Sequence, residues 1–147
     1  MSKINKRVLV PYTADQMYGL VNDSSRYPEF LPWCESVRVI EQSESAIKAE
    51  VGVSKGKIRQ SFTTQNSMVP GERIEMNLVE GPFKSLHGVW TFSPRGEAGC
   101  EVSLEMEFEF TKGLLGFGFN KVFSGIASSL VDAFCQRAKT VYGQQNG

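Results

Sequence analysis

The clearest pattern of hydrophobic and polar positions lies in the second half of the chain. Every second residue from Val102 to Phe110 is apolar, and the residues between them are glutamates and one serine. Alternation with a period of two is typical of a strand that has one buried face and one solvated face. This segment therefore predicts a strand in a sheet with a single apolar face.

Shorter segments of the same kind predict further strands between Glu35 and Thr111, separated by turn sequences such as EQSES, PGE and PRGEAG. Residues 3–10 alternate loosely and end at Pro11, which favours an edge strand that stops at the proline. About seven strands result. Because short turns connect most of them, they predict one curved antiparallel sheet.

Helical spacing occurs in two places. Thr13 and Gln16 form the sequence of a capping box, which predicts the start of a helix of about ten residues, and residues 24–31 fit one more short turn. Apolar residues recur every three or four positions over 114–142, which predicts a long helix of roughly 40 Å. This helix is the only predicted element large enough to cover the apolar face of the sheet.

The predicted fold class is therefore α+β, with a curved sheet around a long C-terminal helix in one domain spanning residues 1–147. An apolar cavity forms wherever the curvatures of helix and sheet differ. Each large apolar residue facing that space also fits an ordinary core, so both interpretations stay open. The candidate ligand-binding residues are Leu31, Trp33, Phe62, Met76, Leu78, Trp90, Leu104, Met106, Phe123, Leu130 and Phe134.

The segment SRYPEFLPWC, residues 25–34, concentrates aromatic and apolar side chains in a stretch too irregular for a strand or a long helix. Two interpretations are open for it. Leu31 and Trp33 form part of a lid over one mouth of the cavity, or the segment plugs the end of the core. Its prolines restrict the backbone and lower the entropy lost when the segment becomes ordered.

Composition narrows the possible functions. The chain has 16 basic and 16 acidic residues, so no overall field draws it to nucleic acid or to a membrane. Its three cysteines lack metal or redox spacing, which favours reduced thiols in the cytoplasm. No segment is apolar enough for a signal peptide or a transmembrane helix.

Candidate chemistry is sparse. The single histidine, His87, lies in the middle of a predicted strand and fits a structural role better than a catalytic one. No cluster of ligating residues has metal spacing, so we expect no metal and no required cofactor. Lys55, Lys57 and Arg59 lie near a predicted hairpin tip, where they fit either contact with RNA phosphate or an ordinary exposed hairpin.

Five sequence blocks over about residues 8–143 resemble the coenzyme-Q-binding START-domain family of the polyketide cyclase-like superfamily. They are VPYTADQMYGLVNDSSRYPEFLPWC, VSKGKIRQSFTTQN, LVEGPFKSLHGVWTFSP, FEFTKGLLGFGFNKVF and VDAFCQRAKTVYG. The chain is most similar to the bacterial branch of that family, the ribosome-association toxins called RatA. The resemblance implies a helix-grip fold.

The resemblance also implies the function. We expect non-enzymatic binding of ubiquinone or a related isoprenoid lipid in the cavity, supporting respiration. The alternative is a toxin that binds the large ribosomal subunit and blocks subunit association, and a cyclase-like enzyme is a third hypothesis. The expected partners are a hydrophobic small molecule, the large ribosomal subunit and, transiently, a membrane.

Overall fold

The computed structural model describes residues 2–111 and 116–143. Its strands are β1 (Ser2–Val10), β2 (Cys34–Gln42), β3 (Ala46–Lys55), β4 (Ile58–Val69), β5 (Arg73–Glu80), β6 (Phe83–Pro94) and β7 (Cys100–Phe110). Its α-helices are α1 (Ala14–Asn22) and α2 (Gly116–Tyr142). Two short 3₁₀ helices cover Ser24–Glu29 and Gly96–Ala98, and the first of them is called the 3₁₀ segment below.

The seven strands form one curved antiparallel sheet in the order β1-β7-β6-β5-β4-β3-β2. The first two strands of the chain, β1 and β2, are thus the two edges of the sheet. Apart from β1 and β7, all neighbouring strands are also consecutive in sequence and are connected by short turns. The predicted α+β class, the number of strands and the edge position of the first strand are confirmed.

The alternating pattern of β7 has the predicted consequence. Leu104 is fully buried and Phe108 is only 1% exposed, while Glu105 and Glu107 on the opposite face are exposed. The same inward face continues on β6, where Leu86, Trp90 and Phe92 are buried. Burial on one face of each strand gives the sheet a continuous concave apolar surface.

Helix α1 begins where its sequence predicts. The Thr13 side chain accepts a hydrogen bond from the Gln16 backbone at 3.0 Å, and the Gln16 side chain accepts one from the Thr13 backbone at 2.9 Å, so the capping box is present. The described part of α2 begins at Gly116. Residues 114 and 115, which the prediction included in the long helix, lie outside the described ranges.

The apolar core lies between the concave face of the sheet and the two helices. Helix α2 contributes Phe119, Phe123, Ala127 and Phe134, which are all buried. The Tyr12 hydroxyl donates a 2.7 Å hydrogen bond to the Gly143 carbonyl, joining the end of β1 to the end of α2. In the described part of the chain, no helix has the length and apolar character needed to span a membrane.

Candidate functional site

A cavity of about 90 Å³ lies between the concave face of the sheet and α2. Side chains of the five strands β3 to β7 contribute to it. The 3₁₀ segment, the loop before β2 and the middle of α2 complete the lining. The lining residues are Ser24, Tyr27, Trp33, Ala49, Val51, Phe62, Thr64, Asn66, Met76, Leu86, Trp90, Met106, Phe123, Ile126, Leu130 and Phe134.

A glycine creates space on the sheet side of the cavity. Gly88 on β6 pairs with Met76 on β5 and with Met106 on β7. A Cβ atom at Gly88 would lie 2.7 Å from the Met76 Cε and 3.5 Å from the Met106 Cε. Because Gly88 has no side chain, both thioether methyl groups lie over β6, and the cavity has a flexible, unbranched wall there.

Aromatic rings from the sheet, the 3₁₀ segment and α2 form another part of the cavity wall. The Phe134 ring meets the Trp90 ring at 5.4 Å and the Tyr27 ring at 5.5 Å, both edge to face. The Phe62 and Phe123 rings meet in the same way at 5.9 Å. Edge-to-face contacts are favourable aromatic geometries, so these rings stabilise one another in the cavity wall.

The polar groups of the lining are few and uncharged. The Tyr27 hydroxyl donates to the Val21 carbonyl, and burial raises the pKa of Tyr27 far above its ordinary value. Thr64 and Asn66 lie on the inward face of β4, and Ser24 begins the 3₁₀ segment. Within the described ranges, no carboxylate, imidazole, amine, guanidinium or thiol lines the cavity.

One polar atom in this lining is unsatisfied. The Oδ1 atom of Asn66 is shielded from solvent and has no hydrogen-bond partner among the described residues. A buried acceptor without a partner carries a desolvation cost of about 1–3 kcal/mol. Asn66 is therefore the most unusual polar residue of the cavity.

Trp33 separates the cavity from solvent. Together with Ile126 it lines both the cavity and an outer groove of about 460 Å³. The groove runs between α2 and the β3–β4 hairpin, and its other lining residues are Pro32, Ser54, Lys55, Gly56, Val122, Gly125 and Ser129. The Ser54 backbone N–H donates to the Trp33 carbonyl at 2.9 Å, which fixes the loop to β3. The half-buried Trp33 ring thus lies at the cavity mouth.

The structure places most of the predicted ligand-binding residues around one space. Eight of the eleven line the cavity: Trp33, Phe62, Met76, Trp90, Met106, Phe123, Leu130 and Phe134. Leu31, Leu78 and Leu104 lie outside this lining, and a role for them in ligand binding stays a prediction. Leu104 is fully buried on β7, a strand that both α1 and α2 contact.

The positions of Leu31 and Leu78 outside the lining have local reasons. Leu31 is 1% exposed and packs with Cys34 and Val51 in a small cluster, of which only Val51 also lines the cavity. Leu78 is half-buried near the end of β5, and its Cδ1 atom would lie 3.6 Å from a Cβ placed at Gly81. Leu31 therefore fills the end of the core, whereas Trp33 borders the cavity.

Several lining residues were not predicted. They are Ser24, Tyr27, Ala49, Val51, Thr64, Asn66, Leu86 and Ile126. The alternation of β4 already placed Thr64 beside Phe62 on one face, and one further step along that face reaches Asn66. The small and polar members give no hydrophobic signal, which is why only their strand position could have indicated them.

The 3₁₀ segment is anchored to α2. The Arg137 guanidinium lies 4.7 Å from the centre of the Phe30 ring and 3.1 Å from a carboxylate oxygen of Glu29. The Tyr27 and Phe30 rings both pack edge to face on Phe134 at 5.5 Å. These contacts hold the 3₁₀ segment and Phe30 on α2.

The basic residues of the β3–β4 hairpin are exposed, as predicted. Lys55 ends β3, Lys57 lies in the turn, and Arg59 lies near the start of β4. Gly56 adopts a φ of +61°, which suits the tight turn between them. Arg59 pairs with Glu35 at 3.1 Å. Contact of these residues with RNA stays a prediction.

His87 faces away from the cavity. Its Nε2 atom lies 2.8 Å from a carboxylate oxygen of Glu75 on the neighbouring strand, and both side chains are partly exposed. The hydrogen bond from His87 is the main reason that the pKa of Glu75 lies below its usual value. Within residues 2–111 and 116–143, no group of three His, Cys, Asp or Glu side chains is arranged to hold a metal ion.

Comparison with known proteins places this cavity in a family context. A family model described as polyketide cyclase/dehydrase and lipid transport matches residues 10–135. The chain belongs to this family. It is 49% identical over 140 residues to the "Ribosome association toxin RatA" of Pseudomonas aeruginosa, covering 95% of this chain and 97% of that protein. It is also 28% identical over 139 residues to a mitochondrial "Coenzyme Q-binding protein COQ10 homolog B" of Xenopus laevis, covering 91% of this chain and 57% of that protein.

Two solved structures have a similar fold. A solution structure of an 18 kDa protein from Caulobacter crescentus is 30% identical, with a TM-score of 0.74, and the match covers 98% of this chain and all of that one. The Zhui aromatase/cyclase of a Streptomyces species has a TM-score of 0.81 at 16% identity, with 94% and 93% of the two chains covered. At that identity the likeness concerns the fold alone.

Proposed function

We propose that this protein binds a neutral hydrophobic ligand, ubiquinone or a related isoprenoid lipid, in the cavity between the sheet and α2, without catalysing a reaction. The observation that carries the proposal is the composition of the lining. Its walls are apolar and aromatic, it has four uncharged polar residues, and none of the described residues that line it carries an ionised group. A relative named as a coenzyme Q-binding protein supports the choice of ligand.

The size of the cavity implies that it opens when the ligand enters. At about 90 Å³ it is smaller than the roughly 300–1,000 Å³ of ordinary small-molecule pockets. Met76 and Met106 have flexible thioether side chains that can repack around a ligand. Trp33 lies at the mouth beside the outer groove, which provides a path for an isoprenoid tail to reach solvent.

The energetics suit a lipid ligand. Each methylene group of a tail that leaves water contributes about 0.8 kcal/mol, and micromolar affinity corresponds to about 8.2 kcal/mol at 25 °C. A few isoprene units therefore suffice even after the cost of association. The rings of Phe62, Trp90 and Phe134 offer faces and edges on which a quinone ring can pack.

A carrier of this kind needs no catalytic group. General acid-base catalysis requires a titratable side chain within hydrogen-bond reach of the substrate. His87 is on the other face of the sheet, and the Tyr27 hydroxyl is already bonded to Val21. The proposal includes no required cofactor and transient contact with the membrane that holds the lipid. It also includes a cytoplasmic location, which suits the three free cysteines.

Two measurements test the proposal. Lipids extracted from the protein purified from its own host should contain a quinone, identified by mass spectrometry. A short-chain ubiquinone should also bind saturably, and binding is measurable by quenching of tryptophan fluorescence because both tryptophans of the chain line the cavity.

A cavity-filling variant sharpens the second measurement. Ala49→Leu places an isobutyl group in the cavity and should weaken quinone binding about tenfold, because the ligand loses that volume. Ala46→Leu is the matched control, since Ala46 is on the opposite face of the same strand and should leave the affinity unchanged. Absence of a co-purifying quinone together with absence of saturable binding would overturn the proposal.

A second candidate function is binding to the large ribosomal subunit, which would prevent that subunit from associating with the small one. Two observations favour it: 49% identity to a protein named as a ribosome association toxin, and an exposed basic hairpin with Lys55, Lys57 and Arg59. The hairpin tip is a surface distinct from the cavity interior, so the two functions are compatible in one molecule.

Charge reversal tests this second candidate. On a sucrose gradient, overexpression should deplete 70S particles, and the protein should co-sediment with 50S subunits. The triple variant Lys55→Glu, Lys57→Glu and Arg59→Glu should weaken co-sedimentation because it reverses the charge that faces phosphate. The control reverses Lys3, Arg38 and Lys84, three other exposed basic residues on different strands. If co-sedimentation with 50S subunits falls equally in both variants, or falls in neither, the hairpin residues are not the ribosome-binding surface.

A further inference from the structure

Among the described residues that line the cavity, Asn66 is the one with a buried side-chain polar atom that lacks a hydrogen-bond partner. On β4, Asn66 pairs with Ile47 of β3 and with Met76 of β5, so its two cross-strand neighbours are apolar. Its Oδ1 atom is shielded from solvent and has no partner within the described ranges. Of the two polar atoms of this amide, only the oxygen is both shielded and unpartnered.

The other polar groups of the lining do not donate a hydrogen bond to the Asn66 Oδ1 atom. The Tyr27 hydroxyl already donates its proton to the Val21 carbonyl. The Asn66 Oδ1 atom accepts no hydrogen bond from Thr64, its neighbour two residues earlier on the same face. A leucine at this position would fill a similar volume at no polar cost, so the asparagine places an acceptor in an otherwise apolar space.

We propose that Asn66 accepts a hydrogen bond from a hydroxyl group of the bound lipid, so that the cavity prefers the reduced quinol to the quinone. A quinol carries O–H donors on its ring, whereas the two carbonyl oxygens of a quinone only accept. The quinol therefore satisfies the Asn66 oxygen, and the quinone leaves it buried without a partner. This inference rests on the proposed function and adds the redox form of the ligand.

Three matched ligands separate the donor from the rest of the molecule. They are a short-chain ubiquinol, the corresponding ubiquinone, and the dimethyl ether of the quinol, which keeps the ring and tail but lacks both hydroxyl protons. Binding is measured by isothermal titration calorimetry under nitrogen, so that the quinol stays reduced. We expect the wild-type protein to bind the quinol about fivefold to tenfold more tightly than the quinone or the ether.

Two asparagine variants locate the effect. Asn66→Leu removes the acceptor, so the preference for the quinol should fall to about twofold or less while the quinone binds at least as tightly as in the wild type. Asn120→Leu is the control, because Asn120 also has a shielded Oδ1 atom without a partner but is not in the cavity lining. It should retain the full preference. Retained quinone binding by Asn66→Leu also shows that this variant is folded.

The possible results distinguish this inference from the proposed function. If none of the three ligands binds saturably, both are overturned. If all three bind the wild-type protein with equal affinity, or if Asn66→Leu keeps the quinol preference, only the assignment of Asn66 is overturned and quinone binding stands. Tighter binding of the quinone than of the quinol would likewise refute the assignment.

Discussion

At the scale of single residues, burial controls the chemistry of the three thiols. Desolvation raises the pKa of Cys34 and of Cys100 to about 11, and it also raises the pKa of Cys135, which is partly exposed. The thiolate is the reactive form of cysteine, so a raised pKa makes these groups poor nucleophiles at neutral pH. Their role in the folded protein is packing in the core.

This predicts slow alkylation of the folded protein. A pKa of about 11 in place of the ordinary 9.0 lowers the thiolate fraction of Cys34 and Cys100 about 100-fold near pH 7.5. Iodoacetamide should therefore modify Cys135 first and all three thiols rapidly only in denaturant, which mass spectrometry can follow. Rapid labelling of Cys34 or Cys100 in the folded state would contradict the prediction.

The same shifts set a pH dependence of stability. The folded state holds its thiol protons more tightly than the unfolded chain does, so the stabilising effect is complete below about pH 9. It is lost as the pH rises through the folded pKa of about 11. Cys34→Ala or Cys100→Ala should reduce the slope of the free energy of unfolding against pH in that range.

At the scale of elements, the SRYPEFLPWC segment divides into two parts with different roles. Leu31 is buried with Cys34 and Val51 and completes the core, as in the plug interpretation. Trp33, two residues later, is half-buried and lines both the cavity and the outer groove, as a lid requires. The contacts of Arg137 with Glu29 and Phe30 hold the preceding 3₁₀ segment on α2.

Substitution of each residue by alanine separates these roles. Leu31→Ala should cost about 2–4 kcal/mol in the free energy of unfolding, because it leaves a void in a fully buried cluster, with little change in quinone affinity. Trp33→Ala should cost less stability and should change the affinity severalfold, since it alters the cavity mouth. Urea unfolding gives the first quantity and calorimetric titration the second. A Trp33→Ala protein that loses stability but keeps its affinity would favour the plug interpretation for the whole segment.

At the scale of the whole molecule, charge and apolar surface are kept apart. The glutamates of β7 and the Glu75–His87 pair lie on the outer face of the sheet, and the cavity lies on the inner face. The strict alternation of the strands produces this separation, because successive side chains point to opposite faces. Ligand binding and surface charge should therefore be nearly independent properties of this protein.

The separation predicts that ligand binding does not depend on pH. Within the described ranges no lining residue ionises near neutrality, and burial keeps the Tyr27 hydroxyl protonated by raising its pKa. The dissociation constant for the short-chain ubiquinone should vary by less than about twofold between pH 6 and pH 9. A tenfold change in that range would mean that an ionising group reaches the ligand.

Local patterns in the sequence determined the elements of this protein and their order. The alternation of β7, the capping box of Thr13 and Gln16 and the helical spacing of α2 each involve residues close together in the chain. Their physical causes, which are side-chain direction and hydrogen bonding within a few residues, are readable without knowledge of the tertiary structure. The wrapped arrangement of sheet and helix follows from that order.

Only the tertiary structure decided which apolar residues surround a cavity. Leu104 and Met106 are neighbours on the inward face of β7, yet Met106 lines the space whereas Leu104 is fully buried and does not. The physical reason is that the gap depends on the position of α2 over the curved sheet, which many non-local contacts determine together. The environment of Asn66 likewise depends on the tertiary structure. The register of β3 and β5 places apolar residues beside it and leaves its Oδ1 atom without a hydrogen-bond partner in the described part of the chain.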